Sequence, residues 1–197
     1  MPLGAHKAAL FGVAGVSTGD VVLLHDQDYS GVASASITSG IDSTYGEYIF
    51  KFYNINPATD GAHFQFQVNA TDDAGGDFDT SQIQTTYFEA RHTEADASEL
   101  TYEGSNDAAN STSHVNLARA VGNGSDESFA GIMHLFSPAS TTYVKHFYSR
   151  ASGYNNSDSA HDHFVAGYIN DTTAIDEIQF KMSSGNFDGT IKMWGVK

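Results

Sequence analysis

Alternation with a period of two constrains this chain more than any other feature. In Phe64-Gln65-Phe66-Gln67-Val68 the apolar side chains share one face of an extended segment and both glutamines take the other. Ile178-Gln179-Phe180-Lys181-Met182 repeats the pattern, and Ile191-Lys192-Met193 carries it into Trp194. Such segments read as one-sided strands of an antiparallel sheet. Tyr48–Tyr53 and Ile132–Phe136 are instead apolar on both faces, which places them in the middle of a sandwich or against a partner.

Val21–His25, Val32–Ile37, Val115–Val121, Tyr143–Tyr148 and Phe164–Ile169 bring the expected strands to about ten. Turn clusters separate them, among them Asn56–Gly61, Asp72–Asp77 and Gly153–Asp158. Within Gln82–Gly104, Tyr87–Arg91 reads as a strand followed by a loop. The expected fold class is therefore all-β, an antiparallel β-sandwich of jelly-roll type. Composition agrees: 13 Phe and 10 Tyr stand against seven Leu, a balance that suits pleated surfaces better than helices. Residues 1–18, with the small apolar run Ala8–Val16, read as an N-terminal arm docked on the domain or on a neighbouring subunit. Residues 19–197 read as a single β-sandwich domain, because only three prolines occur and no linker-like run divides the chain.

The charge balance excludes several partners. Nine Lys+Arg against 24 Asp+Glu give a formal net charge of −15, and the basic residues are scattered singly. Nucleic acid and anionic membranes both require clustered Lys and Arg, so neither is an expected partner. With no cysteine, disulfides, thiolate metal sites and Cys nucleophiles are impossible. The carboxylates concentrate at 72–79, 94–107 and 158–162, which reads as a set of solvated exterior loops.

Four patterns bear on chemistry. Gly15-Val16-Ser17-Thr18-Gly19 matches a nucleophile elbow, but Asp20–Leu24 reads as a strand where that motif needs a helix, so Ser17 belongs to a turn. In His161-Asp162-His163 two imidazoles two residues apart could share one ion with a carboxylate from elsewhere. No spaced third ligand accompanies them, and the expectation is a polar turn with both rings solvated. Asp72, Asp73, Asp77 and Asp79 form an oxygen-rich loop of the kind calcium favours, in an order that is not an EF-hand's. His134 and His146 fall within apolar strands and read as hydrogen-bonded core or interface residues. No catalytic, cofactor-binding or metal-binding residue is assigned, and no cofactor is expected.

Ser128–Phe136, the following Ser137–Phe147, and above all Ala174–Gly195 with its closing Gly189-Thr190-Ile191-Lys192-Met193-Trp194-Gly195 resemble a family of small structural proteins of tailed, mostly marine, bacteriophages. Asp42–Phe50 and Asn54–Ala58 look like the same family, so the resemblance covers most of residues 41–196. It implies a β-sandwich located in the virion, as a head decoration or cement protein or as a tail or fibre component. It implies no catalytic residues.

The expected function is thus that of a non-enzymatic capsid decoration protein on the exterior of the particle. Its partners would be the major capsid protein or other virion proteins, and a homo-oligomer, in particular a trimer, fits such a role. Phe11, Phe136, Tyr143 and Phe147 are candidate contact aromatics. The alternative from another class is a tail or fibre module that binds glycans or a receptor through loop aromatics such as Tyr154 and Phe187.

Overall fold

The computed structural model describes residues 20–73, 78 and 80–197, and every helix or strand assigned among them is a β-strand. Twelve follow in chain order: β1 (Val21–Val32), β2 (Ser34–Ile37), β3 (Glu47–Pro57), β4 (Ala62–Ala70), β5 (Ile83–Thr93), β6 (Ser98–Tyr102), β7 (Val115–Val121), β8 (Phe129–Phe136), β9 (Lys145–Asn155), β10 (Ser159–Ile169), β11 (Ile175–Met182) and β12 (Phe187–Val196). The arm expected over 1–18, the Gly15–Gly19 motif, and Asp77 and Asp79 of the acidic loop lie outside the described residues.

All pairings are antiparallel, and four of them nest. β1 pairs with β12, β2 with β11, β3 with β8 and β4 with β7. Two more, β12 with β3 and β11 with β4, gather these eight strands into the rows β1-β12-β3-β8 and β2-β11-β4-β7. The remaining four strands, β5, β6, β9 and β10, fall between β4 and β7 and between β8 and β11 in the chain. They extend the first row as β8-β9-β10-β5-β6. A single residue pair, Val121 with Asn155, ties β7 to β9 and turns the whole into a nearly closed barrel-like sheet.

Aromatic side chains fill the space between the rows. Phe64 of β4 is fully buried and sits 5.2 Å from Phe52, 4.9 Å from Phe129, 5.7 Å from Phe180 and 5.8 Å from Phe187, ring centre to ring centre. Three of those partners come from the opposite row, so one ring contacts four strands at once. The two-faced strands anticipated at 48–53 and 132–136 are interior strands: β3 lies between β12 and β8, and β8 between β3 and β9. Gly189, at φ +140°, forms the bulge that keeps β12 in register with β3, in a backbone region that L side chains rarely adopt.

The structure departs from the sequence expectations at four places. The described chain has twelve strands, not ten: β6 occupies what reads as loop, and β5 runs well beyond Tyr87–Arg91. Val32–Ile37 is not one strand, since the chain leaves the first row at Val32 and enters the second at Ser34. His161–His163 is not a turn, because β9 and β10 form a long hairpin whose connection is only residues 156–158. Phe187 and Phe147 are core residues, 1% and 2% exposed, so neither offers a contact surface.

Candidate functional site

Strand geometry assembles the one cluster with coordinating chemistry among the described residues. Successive side chains on β5 alternate, so Tyr87 and Glu89 point inward while Phe88 and Ala90 point out. On β10 the same alternation turns His161 and His163 inward and Asp162 and Phe164 outward. The register pairs His163 with Glu89, and His161 lies two residues earlier on the same face. Glu89 is 0% exposed, His163 1% and His161 3%.

Arg119 of β7 closes the cluster from the opposite side. Its Nε donates to Glu89 Oε2 at 2.8 Å and its Nη2 to Oε1, a two-point grip that fixes the plane of the carboxylate. Glu103 lies 3.6 Å from the same guanidinium. Tyr87 Oη and His163 Nδ1 are hydrogen-bonded at 2.9 Å. His161 Nδ1 and His163 Nδ1 each stand 3.4 Å from Glu89 Oε2, and His161 Nδ1 is buried without a hydrogen bond.

The electrostatics follow from that geometry. Burial pushes the Glu89 carboxyl upward, but polar contacts from His161, His163 and Arg119 outweigh it and hold the group well below the usual carboxylate range. Burial drives His163 below the ordinary histidine value despite the opposing pull of Glu89. Burial likewise raises the Tyr87 phenol, which stays protonated. A neutral His163 beside an ionised Glu89 suits a transition ion, which binds the deprotonated forms of both groups.

Glu89, Tyr87 and Arg119 are absent from the candidates the sequence suggests. Their signal was the alternation Tyr87-Phe88-Glu89, a strand pattern with an acid where an apolar residue would ordinarily sit. Asp72 accepts from the Thr173 hydroxyl at 3.1 Å and Asp73 is bonded to Thr80, so these two acids serve the loop itself. Tyr154 is not in a loop. It stands on β9 with its hydroxyl near Glu94 and Asp158, at 3.3 and 3.4 Å. Asp162 faces outward from β10 and pairs with Arg150 at 3.0 Å. His134 bonds Glu47 at 2.5 Å and stacks on Tyr148 with ring centres 4.5 Å apart.

The outer face of the extended row carries a second feature. Val21, Leu23, Tyr53, Phe88, Leu100, Tyr102 and Tyr148 are all exposed, and all seven stand on strands of that row. Among the described residues the only other large apolar side chain this exposed is Tyr143. Phe88 stacks on Phe164 with ring centres 5.0 Å apart, and the Arg150 guanidinium lies 4.9 Å from the Phe164 ring centre. On the same face a trough of about 540 Å³ has a floor of small residues, including Ala90, Ala130, Gly131 and Ser152.

No family model matches the chain, and no curated protein does. Among solved structures, a crystal structure of A. japonicus CB05 aligns with all of this chain, at 12% identity and a TM-score of 0.23, and this chain spans 29% of that one. An aerolysin-like protein of Bombina maxima aligns over 87% of this chain and 91% of its own, at 8% identity and a TM-score of 0.13.

Proposed function

We propose that this chain is a non-enzymatic structural protein that docks on a virion shell through the outer face of its large sheet. The observation that carries this reading is the concentration of seven exposed apolar side chains on one sheet row. Within it Phe88 pairs with Tyr102 and lines a groove with Tyr148, and exposed apolar surface of that kind supports an interaction face, because a freely solvated sheet alternates polar residues outward. The resemblance of residues 41–196 to phage structural proteins supplies the partner: the major capsid protein or a neighbouring virion protein.

The fold, in this reading, is a jelly roll with two inserted hairpin strand pairs. Nested pairing of first with last, second with next to last, and so on inward is what results when one long antiparallel ribbon is rolled around a barrel. The rows β1-β12-β3-β8 and β2-β11-β4-β7 follow that order once β5, β6, β9 and β10 are set aside. Shell proteins commonly use such rolls, an argument by fold analogy.

The test is co-sedimentation of purified protein with particles that lack it, comparing wild type with the double variant Phe88→Asp, Tyr148→Asp. Retained folding with at least tenfold weaker binding is expected. Undiminished binding by a folded double variant, or absence of the protein from purified virions, refutes the reading. A glycan-binding module of a tail or fibre is the second reading. The small-floored trough bordered by Arg150, Asp162 and His92 favours it, and a glycan array on wild type and Arg150→Ala tests it.

A further inference from the structure

We propose that Glu89, His161 and His163 form a binding site for one divalent transition ion of the class that prefers imidazole, Zn²⁺ above all. The inference is independent of where the protein docks.

Distances carry the argument. Glu89 Oε2 stands 3.4 Å from both His161 Nδ1 and His163 Nδ1. That is longer than a sound N–H···O hydrogen bond, which ends near about 3.2 Å. It is instead the separation of two ligands on a tetrahedral ion, because bonds of about 2.0–2.1 Å set at the tetrahedral angle put their outer ends about 3.3–3.4 Å apart. All three donor atoms lie within 4.8 Å of one another.

Buried polar atoms find hydrogen-bond partners as a rule, and His161 Nδ1 has none. It points at a carboxylate it does not bond, an arrangement an ion between them would explain. Arg119 then acts as an outer partner: its two-point grip orients Glu89 and leaves Oε2 a lone pair for the ion. Glu89 and Glu103 around one guanidinium leave a local charge of −1, which a dication converts to +1. Binding at His163 Nδ1 exchanges the Tyr87 hydrogen bond for a metal bond and frees the phenol as a neighbouring donor.

An access route is present. A cavity of about 420 Å³ beside the β5–β6 and β9–β10 turns is lined by His161 and Arg119 together with Asn155, Ser159, Thr93 and Ser98. Solvent entering there supplies a fourth ligand. Two nitrogens and one carboxylate oxygen favour Zn²⁺, Co²⁺ or Ni²⁺ over Ca²⁺ and Mg²⁺, which take oxygen shells. Held by β5 and β10, the ion would staple the two inserted hairpins to each other and, through Arg119, to β7.

Full-length protein stripped with chelator is titrated with ZnCl₂ by calorimetry, and with Co²⁺ while the visible absorption is recorded. The expected results are one ion per chain with Kd at or below the micromolar range, a raised melting temperature with Zn²⁺ but not with Mg²⁺, and the intense d–d bands of four-coordinate Co²⁺. His161→Gln leaves the two-point Arg119 grip on Glu89 in place, so it should fold normally and bind at least a hundredfold more weakly. His92→Gln, on the surface beside Asp96, should bind as wild type. The proposal is overturned if the stripped wild type binds no Zn²⁺ tighter than about 100 μM, if Co²⁺ shows only the weak six-coordinate spectrum, or if folded His161→Gln binds as wild type.

Discussion

Replacing Phe64 by alanine tests whether the two strand rows share one aromatic core. The side chain is 0% exposed and its ring touches Phe52, Phe129 and Phe187 across the gap and Phe180 beside it. Burying a phenyl group is worth about 1.5–3 kcal/mol by transfer alone. A cavity term follows, because four flanking rings on four different strands cannot all collapse into the space, so the expected loss is about 3–5 kcal/mol. For a chain of this length that lowers the melting temperature by about 6–20 °C. Urea unfolding followed by Trp194 fluorescence reads the change as a lower midpoint at constant slope. Phe88→Ala is the control: that ring is 40% exposed and stacks on Phe164 alone, so about 0.5–1.5 kcal/mol is expected. A Phe64→Ala loss below about 2 kcal/mol, or an equal loss in Phe88→Ala, would refute the assignment of the core to the space between the rows.

Three further expectations concern particular side chains. With chelator present, Arg119→Met should cost about 3–5 kcal/mol in denaturant unfolding because it strands the fully buried Glu89 charge; Glu89→Gln should cost less, since Arg119 is partly exposed and keeps Glu103. Gly195→Ala should cost about 1–3 kcal/mol by overpacking, as its new methyl carbon would lie 2.5 Å from the Tyr45 ring that leans on Tyr48, whereas Gly46→Ala meets nothing and should be near neutral in the same melts. Lys145 is buried with its ammonium on the carbonyls of Asp171 and Thr173, and burial holds its pKa below 10.5 against the opposing pull of Asp171 and Asp72. The unfolded chain therefore binds the extra proton between the folded pKa and 10.5, so this group's contribution is complete above 10.5 and is lost as pH falls through the folded value. The stability of wild type relative to Lys145→Met should rise with pH across that alkaline window, and a flat difference in pH-resolved denaturation would contradict it.

What the sequence discloses about this fold tracks where its inward face is apolar. β11 and β12 alternate Phe, Ile and Met with polar residues and are read correctly as one-sided strands, whereas β4 keeps the alternation but buries Gln67 on its other face, where the side chain donates to the carbonyls of Ser81 and Thr112. β6 escapes because Ser98–Tyr102 pairs only with β5 and buries almost nothing, so no alternation marks it. The start of β10 escapes for the opposite reason. Its inward residues are Ser159, His161 and His163, polar groups that face Glu89 and Arg119 instead of phenylalanines. A rule that equates polar with outward must read that stretch as a turn. The same inversion hid Glu89, and only the pairing of His163 with Glu89 across two distant segments brings three donor atoms together.

The cluster's position in the topology links these points. Eight strands account for the nested pairs and for the phenylalanine core, and none of Phe52, Phe64, Phe129, Phe180 or Phe187 lies on β5, β6, β9 or β10. Those four inserted strands bury Lys145, Ser149, Thr85, Glu89, His161 and His163 alongside the apolar Ile83, Tyr87, Phe147, Ala151, Val165 and Ile169. A sheet extension with so polar an inner face gains less from apolar burial than the core rows do, so it must be held by directed interactions with strict geometry. Arg119, reaching in from β7, supplies one such interaction, and the pairing of Val121 with Asn155 supplies another. The outer face of the same inserted strands carries Phe88, Leu100, Tyr102 and Tyr148. Any partner that covers these side chains therefore presses on the layer whose other side holds Glu89, His161 and His163. Docking outside and ion binding inside would act on the same two hairpins, so the two should reinforce each other wherever both need β5 and β10 held in register.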